Sequence, residues 1–179
     1  QNGWILVQDT AWPGYEEIPA WIMQGYTTIA QEIFDQLEEN NLKMPTHLFL
    51  QAGVGSFAGA MLGSFAARLG EDCPVTCIVE PDKADCLYRS ARSGTITPVT
   101  GDMDSMMAGL CCGEPCTISW EIIRRGAAAV FSCSDDYSAR GMRLLGRPEP
   151  GDPPIVSGES GAVGAGILAA LMEDNTLSD

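Results

Sequence analysis

The chain has 179 residues, and 24 Asp and Glu against 10 Lys and Arg leave a net charge of −14. Such an acidic molecule repels nucleic acid and anionic bilayers at long range, so neither is expected as a partner. With 45 % hydrophobic and 19 % charged residues, the composition is that of a folded protein with one sizeable core rather than a disordered chain.

Taken in chain order, short apolar runs alternate with segments of helical period, which predicts an α/β fold with a mostly parallel sheet. The run Trp4-Ile5-Leu6-Val7 reads as a first strand. It lacks a basic flank and a cleavage site, so it is not a signal peptide; with Gln1 in place of an initiator Met, the chain reads as a piece of a longer protein. A long helix is predicted from Pro19 to Asn40, with Ile18, Ile22, Ile29, Ile33 and Leu37 as its apolar stripe and Glu32, Asp35, Glu38 and Glu39 on the solvated side. His47 to Leu50 is a second strand and Ala58 to Leu69 a helix whose small residues let it lie close to the sheet. Val75 to Val79 is a third strand, Lys83 to Ser93 a helix, and Ile96 to Val99 a short strand. Helices near Ile118 to Arg125 and over Asp135 to Leu145 flank a strand at Ala128 to Ser132. A Pro-rich turn, Arg147 to Pro154, precedes a closing helix that ends near Met172. The small-apolar stretch Ala162 to Met172 is about half the roughly 20 residues a bilayer-spanning helix requires. No internal repeat and no long linker interrupts residues 1–179, which read as a single α/β domain.

Seven cysteines are scattered through apolar and turn contexts. Cys112-Gly113-Glu114-Pro115-Cys116 lacks the four well-spaced ligands of a zinc site, and His47 lies far off in sequence, so no metal is expected and the thiols read as reduced. The most informative stretch is Gln51-Ala52-Gly53-Val54-Gly55-Ser56-Phe57-Ala58-Gly59. It joins a strand to a helix, where glycines let backbone N–H groups converge and the helix dipole adds positive potential, so it suits a phosphate. No Gly-Lys-Ser/Thr follows, which excludes a Walker A loop. Gly53-Val54-Gly55-Ser56-Phe57-Ala58 satisfies the dinucleotide fingerprint G-x-G-x-x-G/A, with Glu80 near the place of a ribose-binding acid, although the offset is somewhat long and Pro81 follows directly. A purely structural glycine turn remains a third reading.

Several motifs in one order resemble a known family: Val7-Gln8-Asp9-Thr10-Ala11-Trp12, Pro19-Ala20-Trp21-Ile22-Met23-Gln24-Gly25-Tyr26, Gln51-Ala52-Gly53-Val54-Gly55, Ile78-Val79-Glu80-Pro81-Asp82-Lys83-Ala84-Asp85-Cys86, Met107-Ala108-Gly109-Leu110 with Cys112-Gly113-Glu114-Pro115, and Ser157-Gly158-Glu159-Ser160-Gly161-Ala162-Val163-Gly164. Together they resemble the 2,3-diaminopropionate ammonia-lyases, fold type II pyridoxal-phosphate enzymes related to threonine and serine dehydratases, over nearly the whole chain. The resemblance implies a three-layer αβα fold, tryptophan synthase β-like, and a cytoplasmic homodimer acting on a small amino acid. It implies pyridoxal 5'-phosphate as cofactor and an α,β-elimination of 2,3-diaminopropionate to pyruvate and ammonia. A serine or threonine dehydratase would share much of that apparatus.

By the same resemblance Gly53, Val54, Gly55, Ser56 and Phe57 form the phosphate cup. Asp9 is the second acid/base, facing the Cα proton of the D-isomer, and Glu159 lies near the cofactor ring. Read from its residues alone, Asp9 is a turn former after a strand, whereas Glu159 is equally a helix-terminal carboxylate. Glu80 and Ala84 match two cation-binding positions of the serine racemase branch, but Cys86 replaces the third, an Asp, so no metal is expected. Cys86 with Cys112 is the pair the family motifs would join if any disulfide formed. A lysine must carry the cofactor as a Schiff base. Lys43 and Lys83 do not match its position, which in the family lies upstream, while the pyridine-nitrogen contact lies downstream of Asp179. The chain by itself is therefore expected to be inactive and, with strand edges exposed, prone to self-association.

Overall fold

The computed structural model describes residues 3–174. Three parallel strands, β1 (His47–Gln51), β2 (Val75–Pro81) and β3 (Ala127–Cys133), form a sheet in the order β1-β2-β3. His47 pairs with Val75 and Gln51 with Val79, and β2 continues onto β3 with an irregularity at Thr76 and Cys77. Six helices surround it: α1 (Glu17–Glu39), α2 (Ser56–Leu69), α3 (Cys86–Ser93), α4 (Thr117–Gly126), α5 (Asp135–Gly146) and α6 (Glu159–Glu173).

Alternation along the strands divides the core into two layers, because successive side chains leave opposite faces. Leu48, Leu50, Ile78 and Val130 face a cluster built from α1 to α4, including Phe34, Met61, Phe65, Leu87, Trp120 and Ile123. Phe49, Val79, Phe131 and Cys133 face the opposite way, onto Val163, Ile167 and Leu171 of α6 and Tyr137 of α5. This is the αβα sandwich expected from the sequence, with each βα connection returning the chain to the same end of the next strand.

Two expected strands do not form. Trp4 to Val7 pairs with no strand among the described residues, and all four side chains are exposed. Apolar content alone does not make a strand when no neighbour supplies ladder partners. Ile96 to Val99 is a loop held by Val99 N–H to Gly113 O at 2.7 Å and Thr97 N–H to Ser90 Oγ at 2.8 Å, and Pro98 removes a donor a ladder would need. The stripe of α1 is also rotated from the expected one: Pro19, Met23, Ala30 and Phe34 are buried, with Phe34 against Phe65 at 4.5 Å between ring centroids.

Small residues set two close helix contacts. On α2 they serve the neighbouring helix more than the sheet, since a Cβ on Gly59 would lie 2.8 Å from Ser119 Cβ of α4. Across α5 and α6, a Cβ on Gly141 would collide with the Ala162 carbonyl oxygen and one on Gly166 with that of Tyr137. Only glycine permits these backbones to approach so closely. No helix among the described residues is long and apolar enough to cross a membrane.

Candidate active site

The loop from Gln51 to Gly55 leaves the carboxyl end of β1 and enters α2, the position where open parallel sheets place ligands. Its carbonyl groups are taken up from within the protein. Val54 O accepts Cys116 N–H at 2.8 Å and Ser119 Oγ–H at 3.2 Å, and Gly53 O accepts the Cys86 thiol at 3.6 Å. Gly55 has φ +96°, and a Cβ there would lie 2.9 Å from Ser119 Oγ and 3.0 Å from Ile123 Cδ1. Glycine is required at that position twice over, by the backbone dihedral and by the packing beneath it. With the carbonyls anchored inward, the N–H groups of Gly53, Gly55, Ser56 and Phe57 donate to no protein acceptor among the described residues. Gly55 and Ser56 are buried, so these are unsatisfied donors at a helix N-terminus, which an anion would satisfy.

The same loop lines a cavity of about 400 Å³ that also takes in Asp9, Tyr26, Ile29, Gly109, Leu110, Cys112 and Ser160. Tertiary structure thus brings Asp9 and the phosphate-cup candidates Gly53 to Phe57 to one cavity, although more than 40 residues separate them. The Asp9 carbonyl accepts the Ser56 hydroxyl at 2.8 Å. Tyr26 meets Phe57 edge-on at 5.6 Å between centroids. Glu159, by contrast, is exposed at the start of α6 and does not line the cavity; its neighbour Ser160 does. Tyr26, Ile29, Gly109, Leu110, Cys112 and Ser160 escaped the sequence reading as lining residues, since nothing in their local pattern separates them from ordinary helix and loop positions. Neither lysine lines the cavity, and both Lys43 and Lys83 are exposed.

Glu80 does not reach a ligand. It is wholly buried, accepting Leu87 N–H at 3.0 Å and Tyr88 N–H at 2.7 Å from the first turn of α3. Burial pushes its pKa up to about 8, against the pull of those two N–H groups and the Cys86 thiol. A carboxyl committed to a helix terminus can serve neither a ribose hydroxyl nor a cation, so the dinucleotide reading loses its acid. All seven cysteines are free thiols. Burial, then the adjacent Glu80, holds the Cys86 thiol far above the ordinary range. Burial, then Asp9, raises that of Cys112. Neither is a ready nucleophile, because the thiolate is the reactive form.

A cradle of orphaned N–H groups at a helix N-terminus, beside a partly apolar cavity large enough for an aromatic ring, fits a phosphorylated cofactor. Comparison with known proteins agrees: the family described as "Pyridoxal-phosphate dependent enzyme" matches residues 1–178. The chain belongs to that family. Diaminopropionate ammonia-lyase of Salmonella typhimurium (strain LT2) is 54% identical over 181 residues, covering 99% of this chain and 45% of that protein. The crystal structure of diaminopropionate ammonia lyase from Escherichia coli in complex with D-serine superposes with a TM-score of 0.88 at 49% identity, over 98% of this chain and 43% of that one. L-serine dehydratase of Saccharomyces cerevisiae (strain YJM789) is 37% identical over 82 residues, 44% of this chain and 23% of that protein. The chain therefore spans less than half the length of the ammonia-lyases it matches.

Proposed function

We propose that the enzyme to which this chain contributes converts 2,3-diaminopropionate and water to pyruvate and two molecules of ammonia, through loss of the Cα proton and the β-amino group followed by hydrolysis of the resulting enamine. Pyridoxal phosphate, when bound, supplies the electron sink for the carbanion at Cα. The N–H groups of Gly53, Gly55, Ser56 and Phe57 bind its phosphate, with Val54 shaping the loop between them. Leu110, Ile29 and the Tyr26–Phe57 pair exclude water from the cavity. Asp9 takes the Cα proton of the D-isomer, and at the start of α6 the cavity-lining Ser160, rather than the exposed Glu159, faces the bound cofactor. The observation that carries the reading is the convergence of Asp9 and the glycine loop on one cavity, in a chain that matches diaminopropionate ammonia-lyases over nearly its whole length.

Residues 1–179 act in this reading as one α/β unit, the cofactor-binding portion of a cytoplasmic homodimer. Because neither lysine lines the cavity, the chain alone is expected not to turn over substrate. The test uses the full-length parent protein. Visible cofactor absorbance and pyruvate release from D-2,3-diaminopropionate, lost in Asp9→Asn, are the expected results. Release of pyruvate from serine with none from 2,3-diaminopropionate would replace the reading with a dehydratase. A colourless protein that binds a nicotinamide dinucleotide would overturn it altogether.

A further inference from the structure

Asp9 lies outside every helix and strand, in a segment that makes no ladder, yet its backbone is pinned on both sides. On the cavity side Ser56 Oγ–H is given to the Asp9 carbonyl at 2.8 Å. On the outer side the Tyr15 hydroxyl accepts Gln8 N–H at 3.1 Å and donates to Leu6 O at 2.9 Å. One phenol thus uses its single hydrogen and a lone pair to bracket the residues that lead into Asp9. The ring is itself held, stacked on Trp12 at 4.4 Å between centroids, and backbone bonds close the turn in both directions, Tyr15 N–H to Trp12 O at 2.8 Å and Trp12 N–H to Tyr15 O at 3.3 Å. Beyond it, Ala11 O accepts both Thr117 N–H and Thr117 Oγ–H at 3.1 Å, fastening the far end of the turn to the start of α4.

Without the phenol, the chain from Gly3 to Gln8 has no other hydrogen bond to hold it among the described residues. Its side chains from Trp4 to Val7 are exposed and contribute little packing. A proton-transfer group must be held within a fraction of an ångström of its target, since a misplacement of about 1 Å can cost about 100-fold in rate.

We propose that Tyr15 is a positioning residue for Asp9: its hydroxyl fixes the Gln8–Asp9 backbone from outside the cavity while Ser56 fixes it from inside. The proposal rests on the reading of Asp9 as the acid/base for the D-isomer. It also assigns the Ser56 hydroxyl hydrogen to Asp9, leaving the phosphate to be bound by backbone N–H groups.

The test is Tyr15→Phe in the full-length enzyme, which keeps the stacked ring and removes only the hydroxyl. The ratio of kcat for D- to kcat for L-2,3-diaminopropionate is measured on one preparation, so any unfolded fraction cancels. Tyr15→Phe is expected to lower that ratio about 10-fold or more, with KM and the visible cofactor spectrum little changed, and Asp9→Asn to lower it further. If Asp9→Asn lowers the ratio but Tyr15→Phe leaves it unchanged, or depresses both isomers equally, the positioning role is wrong while the reading of Asp9 stands. An unchanged ratio in Asp9→Asn overturns the reading of Asp9 and the role of Tyr15 with it.

Discussion

The crossing of α5 and α6 gives a stability prediction whose sign depends on tertiary structure alone. In an open helix interior, Gly→Ala stabilises by about 0.5–1 kcal/mol, because alanine loses less backbone freedom on folding. Gly25 of α1 is such a site, exposed and with nothing within 4 Å of the point where a Cβ would stand, so Gly25→Ala should raise Tm by about 2–3 °C. At Gly141 the same methyl would overlap the Ala162 carbonyl oxygen and stand 3.0 Å from Gly166 N. Relief requires the helices to part by about 1 Å, a gap that forfeits a quarter to a half of the dispersion attraction at every contact it opens. The α6 side chains next to that contact, Val163 and Ile167, are buried between the sheet and Tyr137 of α5, and burial of each is worth about 1.5–3 kcal/mol. The loss is then about 1–3 kcal/mol, in line with measured overpacking, and the propensity gain returns about 0.5–1 kcal/mol. The net cost of up to about 2 kcal/mol should lower Tm by up to about 6 °C in thermal unfolding. Gly166→Ala, against the Tyr137 carbonyl, should do the same. A rise in Tm for Gly141→Ala like that of Gly25→Ala would refute the close approach of the two helices.

Three further outcomes follow from the surroundings of the site. Glu80 titrates near 8 in the fold and near 4.5 when free, so the folded state holds its proton more tightly; the stability it confers is fully present below about pH 4.5 and is lost as pH rises toward 8. Thermal unfolding from about pH 5 to 8.5 should therefore show a steeper fall in Tm for the native chain than for Glu80→Gln; equal slopes would exclude the raised titration. Gly55→Ala meets both the φ of +96° and the 2.9 Å approach to Ser119 Oγ, so it should cost about 2 kcal/mol or more and abolish cofactor retention by the full-length enzyme, read by its visible absorbance. Burial, and after it Asp9, raises the pKa of Cys112, so Asp9→Asn should speed iodoacetamide alkylation of Cys112 at about pH 8, followed by peptide mass spectrometry; an unchanged rate would place the carboxylate too far from the sulfur to act on it.

Much of the architecture was legible because it depends on local pattern. The helical period from Pro19 to Asn40, the β-rich runs at His47 and Val75, and the glycine loop between strand and helix each reflect forces acting over a few residues: side-chain direction, β-propensity and the need for positive φ at Gly55. The motifs also sufficed to point to the family. What local pattern could not provide was partnership. Trp4 to Val7 has the composition of a strand but pairs with no strand among the described residues, and the stripe of α1 faces where Phe65 lies rather than where its isoleucines would put it.

The site divides in the same way. The sequence by itself placed a glycine loop suited to an anion at the head of α2, because glycine and the first turn of a helix leave N–H groups free to converge. Only tertiary structure decided that Asp9 joins that loop, that Glu80 is spent on the N-terminus of α3, and that Glu159 stands outside the cavity while Ser160 lines it. Those are consequences of how separate segments pack. Contacts between residues dozens of positions apart are set by the whole core, and no short window of sequence carries them.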